Sequence, residues 1–89
     1  MQSRAARLEA VLTQAFSPAL LRVVDDSARH AGHPGARAGG HFRVTLVAEA
    51  FRGRSALERH RLVYAALAPL FEGAVHALSI TARAPEETN

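Results

Sequence analysis

Five histidines and no cysteine are the distinctive chemistry of this 89-residue chain. A neutral imidazole can ligate a metal, relay a proton or satisfy a buried hydrogen bond, and its place in the chain decides which. Without cysteine, disulfides and any metal site built from the chain's own thiolates are excluded. His76 opens an apolar segment that reads as a strand, where a side chain can reach past the sheet edge toward a neighbouring loop. His30 enters a glycine-rich segment long enough to approach it. Two such imidazoles can ligate a metal; the competing reading is two unrelated exposed histidines. His33 lies in Gly32-His33-Pro34-Gly35 and reads as a solvated loop residue. His41 is placed opposite Phe42 and therefore outward. His60 stands between Arg59 and Arg61 inside a well-signalled helix.

That helix has Ser55 as N-cap and Glu58 three residues later, the pattern of a capping box. At about 100° per residue, Ala56, Leu57, Val63, Tyr64, Leu67, Leu70 and Phe71 share a stripe. His60 falls near its middle, with Arg59 and Arg61 roughly 100° to either side. The helix is thus expected to turn an imidazole inward, in or beside the core, and to hold a guanidinium at each edge of its buried face.

No catalytic constellation accompanies these residues. Ser27 and Ser55 lack the G-x-S-x-G context of a nucleophile. Asp25 and Asp26 are adjacent strand positions and point to opposite faces, which is poor geometry for paired acid–base work. No glycine loop leads from a strand into a helix to cradle phosphate. An enzyme is not expected.

The elements that must position the histidines can be read in order. Ala5, Leu8, Leu12, Ala15 and Phe16 recur at helical spacing, which predicts a first helix over Arg4 to Phe16 capped by Ser3 and ended by Ser17-Pro18. Leu20 to Asp26 is aliphatic and β-branched and reads as a strand. Residues 28–40, with four glycines and a proline, read as a loop. His41 to Ala48 alternates, placing Phe42, Val44, Leu46 and Ala48 on one side. Pro69 ends or kinks the second helix, and Val75 to Arg83 forms the last strand. Residues from about Ala84 onward read as a frayed polar tail. The order α-β-β-α-β implies an α+β domain, with two helices on one face of a three-stranded mixed sheet. Its last strand is parallel to its neighbour because a helical crossover precedes it.

Composition agrees with one small globular domain spanning residues 1–89: 48% of residues are hydrophobic, too many for wholesale disorder. No apolar run approaches the roughly 20 residues of a membrane helix. All eleven basic residues are arginine, beside nineteen alanines. Both have GC-rich codons, which points to a bacterial genome of high GC content. The net charge of +3 and pI near 11.0 permit nucleic-acid binding without demanding it.

Four segments together resemble the BolA family: His41-Phe42-Arg43-Val44, Phe51-Arg52-Gly53, Arg59-His60-Arg61-Leu62-Val63-Tyr64 and Val75-His76-Ala77-Leu78. They follow in the family's order and at similar spacing, and the likeness runs from about Arg4 to Pro85. The resemblance implies a class II KH-like fold. It also implies a cytoplasmic adaptor in iron–sulfur cluster trafficking that binds a monothiol glutaredoxin carrying glutathione, with a stress-response role. By the same resemblance His76 is a metal ligand, and the second comes from the loop between the first two strands. His30 is the first choice there and His33 the second. A [2Fe–2S] cluster takes four ligands, and two histidines on one iron is the Rieske-like arrangement with a raised reduction potential. The thiolates would be the partner's cysteine and its glutathione, so the chain holds no cluster alone, as a monomer or weak homodimer.

Some members of the family regulate transcription, which gives an alternative: a KH-like DNA-binding regulator using Arg52, Arg54, Arg59 and Arg61 as a basic edge. KH domains clamp a nucleic-acid backbone with a G-x-x-G loop between helices. Here the only such motif, Gly32 to Gly35, falls between strands.

Overall fold

A computed structural model describes residues 3–26, 40–71 and 75–87. Helix α1 runs over Arg4–Phe16, with the Ser3 hydroxyl accepting from the Ala6 N–H. It stops at Ser17, which takes a left-handed conformation (φ 45°) and donates its N–H to the Thr13 carbonyl. Strand β1 (Leu20–Asp25) pairs antiparallel with β2 (Gly40–Val47). A 3-10 turn over Glu49–Phe51 and Gly53 in the left-handed region (φ 73°) lead into α2 (Ala56–Leu67). Strand β3 (Val75–Arg83) then pairs with β2 in parallel, giving the order β1-β2-β3. The α+β architecture and the mixed sheet expected from the sequence are both present.

The capping box of α2 is complete. Ser55 accepts from the Glu58 N–H at 3.1 Å, and the Glu58 carboxylate accepts from the Ser55 N–H at 2.8 Å. The latter bond, made first to the ionised form, lowers the Glu58 pKa. Regular helix ends at Leu67, and Ala68–Phe71 tightens into a 3-10 turn around Pro69, which cannot donate to the helix ladder.

Both helices lie on the face carrying Phe42, Val44 and Leu46, and they meet Leu8, Leu12, Val63, Leu67 and Leu70 in one core. Phe51 plugs its end, tilted against Phe16 at 5.1 Å. The buried stripe of α2 is therefore Val63 and Leu67, flanked by Leu62 and Ala66. This corrects the expected stripe. Leu57 is 60% exposed, Tyr64 is 36% exposed, and His60 is exposed, not inward. Counting the solvent-exposed Leu57 and Tyr64 as core displaced the centre of the stripe by one residue, and the position that turns inward is Arg59.

The free edge of β3 is covered in part by α2. Ala48 donates its N–H to the Arg83 carbonyl, so odd-numbered peptide groups of β3 face β2 and even-numbered ones face outward. Of the outward carbonyls, Leu78 accepts from the Tyr64 hydroxyl at 3.3 Å and Ala82 from Arg59 at 3.1 Å. Two side chains of one helix thus satisfy two acceptors of an otherwise open strand edge.

A core this small tolerates little truncation. Leu12→Ala, at a fully buried site, is expected to cost about 3 kcal/mol and lower the thermal midpoint by roughly 12–24 °C. Thermal denaturation followed by far-ultraviolet circular dichroism measures it.

Candidate functional site

The start of β3 carries an irregularity. Gly40 pairs with Val75, but His41 pairs with Ala77, so β3 has one extra residue there, and that residue is His76. Bulges interrupt strand alternation and recur beside functional sites. The alternation running from Ala77 to Arg83 is therefore broken before it reaches His76. All three strands meet at this end of the sheet: β1 leaves it at Asp25, β2 enters at Gly40 and β3 enters at Val75. The segment between β1 and β2 thus leaves and re-enters the sheet at the end where β3 begins, with Gly40 next to β3 and Asp25 one strand farther away. His30 and His33 belong to that segment and lie outside the described residues. His41, at the same end, is half-buried on the sheet face away from the helices. Among the described residues, no group of three or more His, Cys, Asp or Glu side chains could hold a metal ion.

The four arginines of the expected basic edge are unequal. Arg59 has a side chain only 13% exposed. Its Nε donates to the Arg54 carbonyl at 2.9 Å and Nη1 to the Ala82 carbonyl. Its two terminal nitrogens also grip the Glu87 carboxylate in a bidentate pair at 2.5 and 2.9 Å. Glu87 accepts from the Ala84 N–H as well, within a 3-10 turn over Pro85–Glu87. The expected frayed tail is instead folded back as far as Glu87, because its acidic pair meets cations. Arg52 pairs with Glu86, and with Glu49 at 2.8 Å. Arg54 approaches Glu58 only to 3.9 Å, and Arg61 is exposed. The sequence signal for this clamp was Glu86-Glu87 at a spacing no local pattern connects to the helix.

On the other side of Arg59, a surface stack runs along α2. His60 lies over Tyr64 with ring centroids 5.3 Å apart, and Tyr64 over Phe71 at 5.1 Å. The imidazole that sequence periodicity assigned to the core is an outer member of this stack. A groove of about 430 Å³ lies between α2 and β3, lined by Arg54, Arg59, His60, Ile80, Ala82 and Arg83 among others.

The Arg59 hydrogen bonds, and then the Ala84 N–H, hold the Glu87 carboxyl down from its ordinary 4.5 to about 2. A pKa lower in the folded than in the unfolded chain stabilises at pH above the unfolded value. That contribution is lost as pH falls from about 4.5 through about 2. The variant Glu87→Gln is expected to melt below the parent protein at neutral pH, with the gap closing over that acid range. A gap that does not change with pH would mean the clamp is not electrostatic.

A family model described as BolA-like protein matches residues 12–87. BolA-like protein 1 of Homo sapiens is 46% identical over 82 residues, covering 92% of this chain and 58% of that protein. The chain thus spans under two thirds of that relative's length. The DNA-binding transcriptional regulator BolA of Escherichia coli (strain K12) is 43% identical over 74 residues, covering 83% of this chain and 69% of that protein. The solved structure of BolA1 from Arabidopsis thaliana superposes with a TM-score of 0.86 at 34% identity, each chain covered fully. A family match over most of the chain, and a shared fold along its whole length, agree with the four sequence segments: the chain belongs to the BolA family.

Proposed function

We propose that this protein is an adaptor in iron–sulfur cluster trafficking that binds a monothiol glutaredoxin and completes a shared [2Fe–2S] site through histidines. The observation that carries this reading is the convergence at one end of the sheet. His76 occupies a bulge beside Gly40, and the segment bearing His30 and His33 is anchored between Asp25 and Gly40. The segment leaves β1 and rejoins β2 at the end of the sheet where His76 lies, which supports a histidine of that segment as the second ligand.

The donor set fits half of a cluster. Imidazoles suit iron, but the chain has no thiolate to complete four-fold ligation of each iron. The remaining ligands would be the glutaredoxin cysteine and its glutathione, and the cluster is cargo held between two proteins. His76 and His30 are the ligands in this reading, with His33 as the alternative to His30. Family membership and the absence of a triad or phosphate loop in the sequence favour an adaptor over a catalyst.

Mixing the protein with a cluster-loaded monothiol glutaredoxin is expected to shift the visible absorption and circular dichroism of the cluster. His76→Ala abolishes the shift with the thermal midpoint nearly unchanged. Of His30→Ala and His33→Ala, the one that also removes it identifies the second ligand. An unchanged spectrum with both proteins folded rejects the reading.

A second reading, DNA binding, draws on the Escherichia coli relative described as a DNA-binding transcriptional regulator. Here Arg52 and Arg59 are neutralised by Glu49, Glu86 and Glu87, which leaves Arg54 and Arg61 to contact phosphates along that edge. With so few contacts, log affinity should fall with log salt at a slope of about −2. Fluorescence anisotropy of a labelled duplex over a salt series gives that slope. A slope several times steeper would place the contact on other arginines.

A further inference from the structure

The groove between α2 and β3 combines two recognition elements. Its floor is the outer edge of β3. The Tyr64 hydroxyl and the Arg59 guanidinium take the outward carbonyls of Leu78 and Ala82. Between them the peptide group of Ile80 faces the groove, since odd-numbered residues of β3 serve the ladder to β2. One N–H and one C=O are therefore offered side by side, flanked on either side by a capped carbonyl. The walls are cationic: Arg54 and Arg83 are exposed on the rim, and Arg59 lies deeper.

At Arg59, which lines the groove, the chain already binds an acidic side chain of its own. Glu87, in the turn after β3, inserts a carboxylate into the Arg59 fork. That internal contact identifies the chemistry the site accepts: a carboxylate carried on a short stretch of backbone. Arg54 and Arg83 present two more guanidinium groups on the groove wall: Arg54 approaches Glu58 only to 3.9 Å, and Arg83 adds its charge to the field that holds the Glu87 carboxylate.

We propose that the α2–β3 groove docks an extended acidic segment of a protein partner, which forms a short β-bridge with Ile80 and places a carboxylate between Arg54 and Arg83. Strand addition beside a helix gives affinity through main-chain bonds and selectivity through the flanking side chains. The capped carbonyls at Leu78 and Ala82 stop pairing on either side, so the bridge is short and cannot grow into sheet-to-sheet association. A peptide suits the floor better than a nucleic-acid backbone does. Phosphates only accept hydrogen bonds and would leave the Ile80 carbonyl without a donor, and the one ring on the groove wall, His60, is stacked on Tyr64. A second copy of the chain is disfavoured by like charge, because both rims carry arginine. The inference stands apart from cluster ligation, since it uses none of the proposed ligand histidines.

The test is a nitrogen-15 amide NMR titration of the full chain with a capped peptide of alternating valine and glutamate. Shifts should centre on Ile80, Thr81, Ala82, Arg54 and His60, and amide exchange at Ile80 should slow. The double variant Arg54→Glu/Arg83→Glu, both exposed sites, should weaken binding at least roughly tenfold. Arg54→Glu alone should give a smaller loss, a check should the double variant misfold. A valine–lysine peptide should leave the amides unmoved. The proposal fails if the acidic peptide moves no groove amide, or if Ile80 exchange is unaffected by a bound peptide. It also fails if a duplex oligonucleotide moves the same amides at lower concentration, or if they move with protein concentration alone. Cluster transfer that survives the double variant would leave the trafficking reading intact, and lost transfer with an intact groove would reject that reading alone.

Discussion

The guanidinium of Arg59 is the point on which the organisation of this molecule turns. One side chain, mostly withdrawn from water, donates to the carbonyl that precedes α2, to the outer edge of β3 and to the carboxylate of the turn after β3. The start of α2 and the distant end of β3 with its following turn are held by a single planar fork. Lysine could not replace it: an ammonium is a point charge and cannot present parallel donors to a carboxylate while keeping others for two carbonyls. The neighbouring cations follow from this arrangement. Because the acidic turn is drawn to Arg59, its Glu86 reaches Arg52. The basic edge read from the sequence is thus largely consumed inside the fold, and the cationic character left over gathers around the groove.

Much of the fold could be read from the chain because its signals are local. The Ser3 and Ser55 caps, the Ser17-Pro18 stop, the alternation from Phe42 to Leu46 and the break at Pro69 each act within a few residues, and the observed elements respect them. The parallel pairing of β3 followed from the crossover before it. What escaped were features set by contacts between distant residues. The facing of α2 depended on whether Leu57 and Tyr64 counted as core. Both have apolar bodies, but Tyr64 spends its hydroxyl on the edge of β3, and Leu57 is exposed to solvent. The correct stripe, centred on Val63 and Leu67, would have followed from giving Tyr64 its polar tip.

The site was legible to a different degree. The sequence offered candidate histidines, and topology places two of them, His41 and His76, at one end of the sheet, the others of the β1–β2 segment lying outside the described residues. The bulge at His76 had no sequence signal, since neither glycine nor proline marks it. The arginine-histidine-arginine triplet, which looked like the chemical centre, turns out to be divided: Arg59 ties the fold together, His60 belongs to an outer aromatic stack, and Arg61 faces solvent. Adjacent helical residues point about 100° apart, so a triplet that reads as one motif supplies three separate surfaces.

The parallel pairing of β2 with β3 also has a consequence for the order of assembly. The β1–β2 ladder joins strands that follow each other in the chain, whereas Gly40 and Val75 are brought together across the whole of α2. Loop-closure entropy makes the second ladder the later one to form unless α2 has already packed. The Gly40 end of β2 meets the start of β3 only once that step is complete. A nascent or partly unfolded chain therefore lacks the sheet end at which Asp25, Gly40 and Val75 converge, so completion of that end reports that folding has finished.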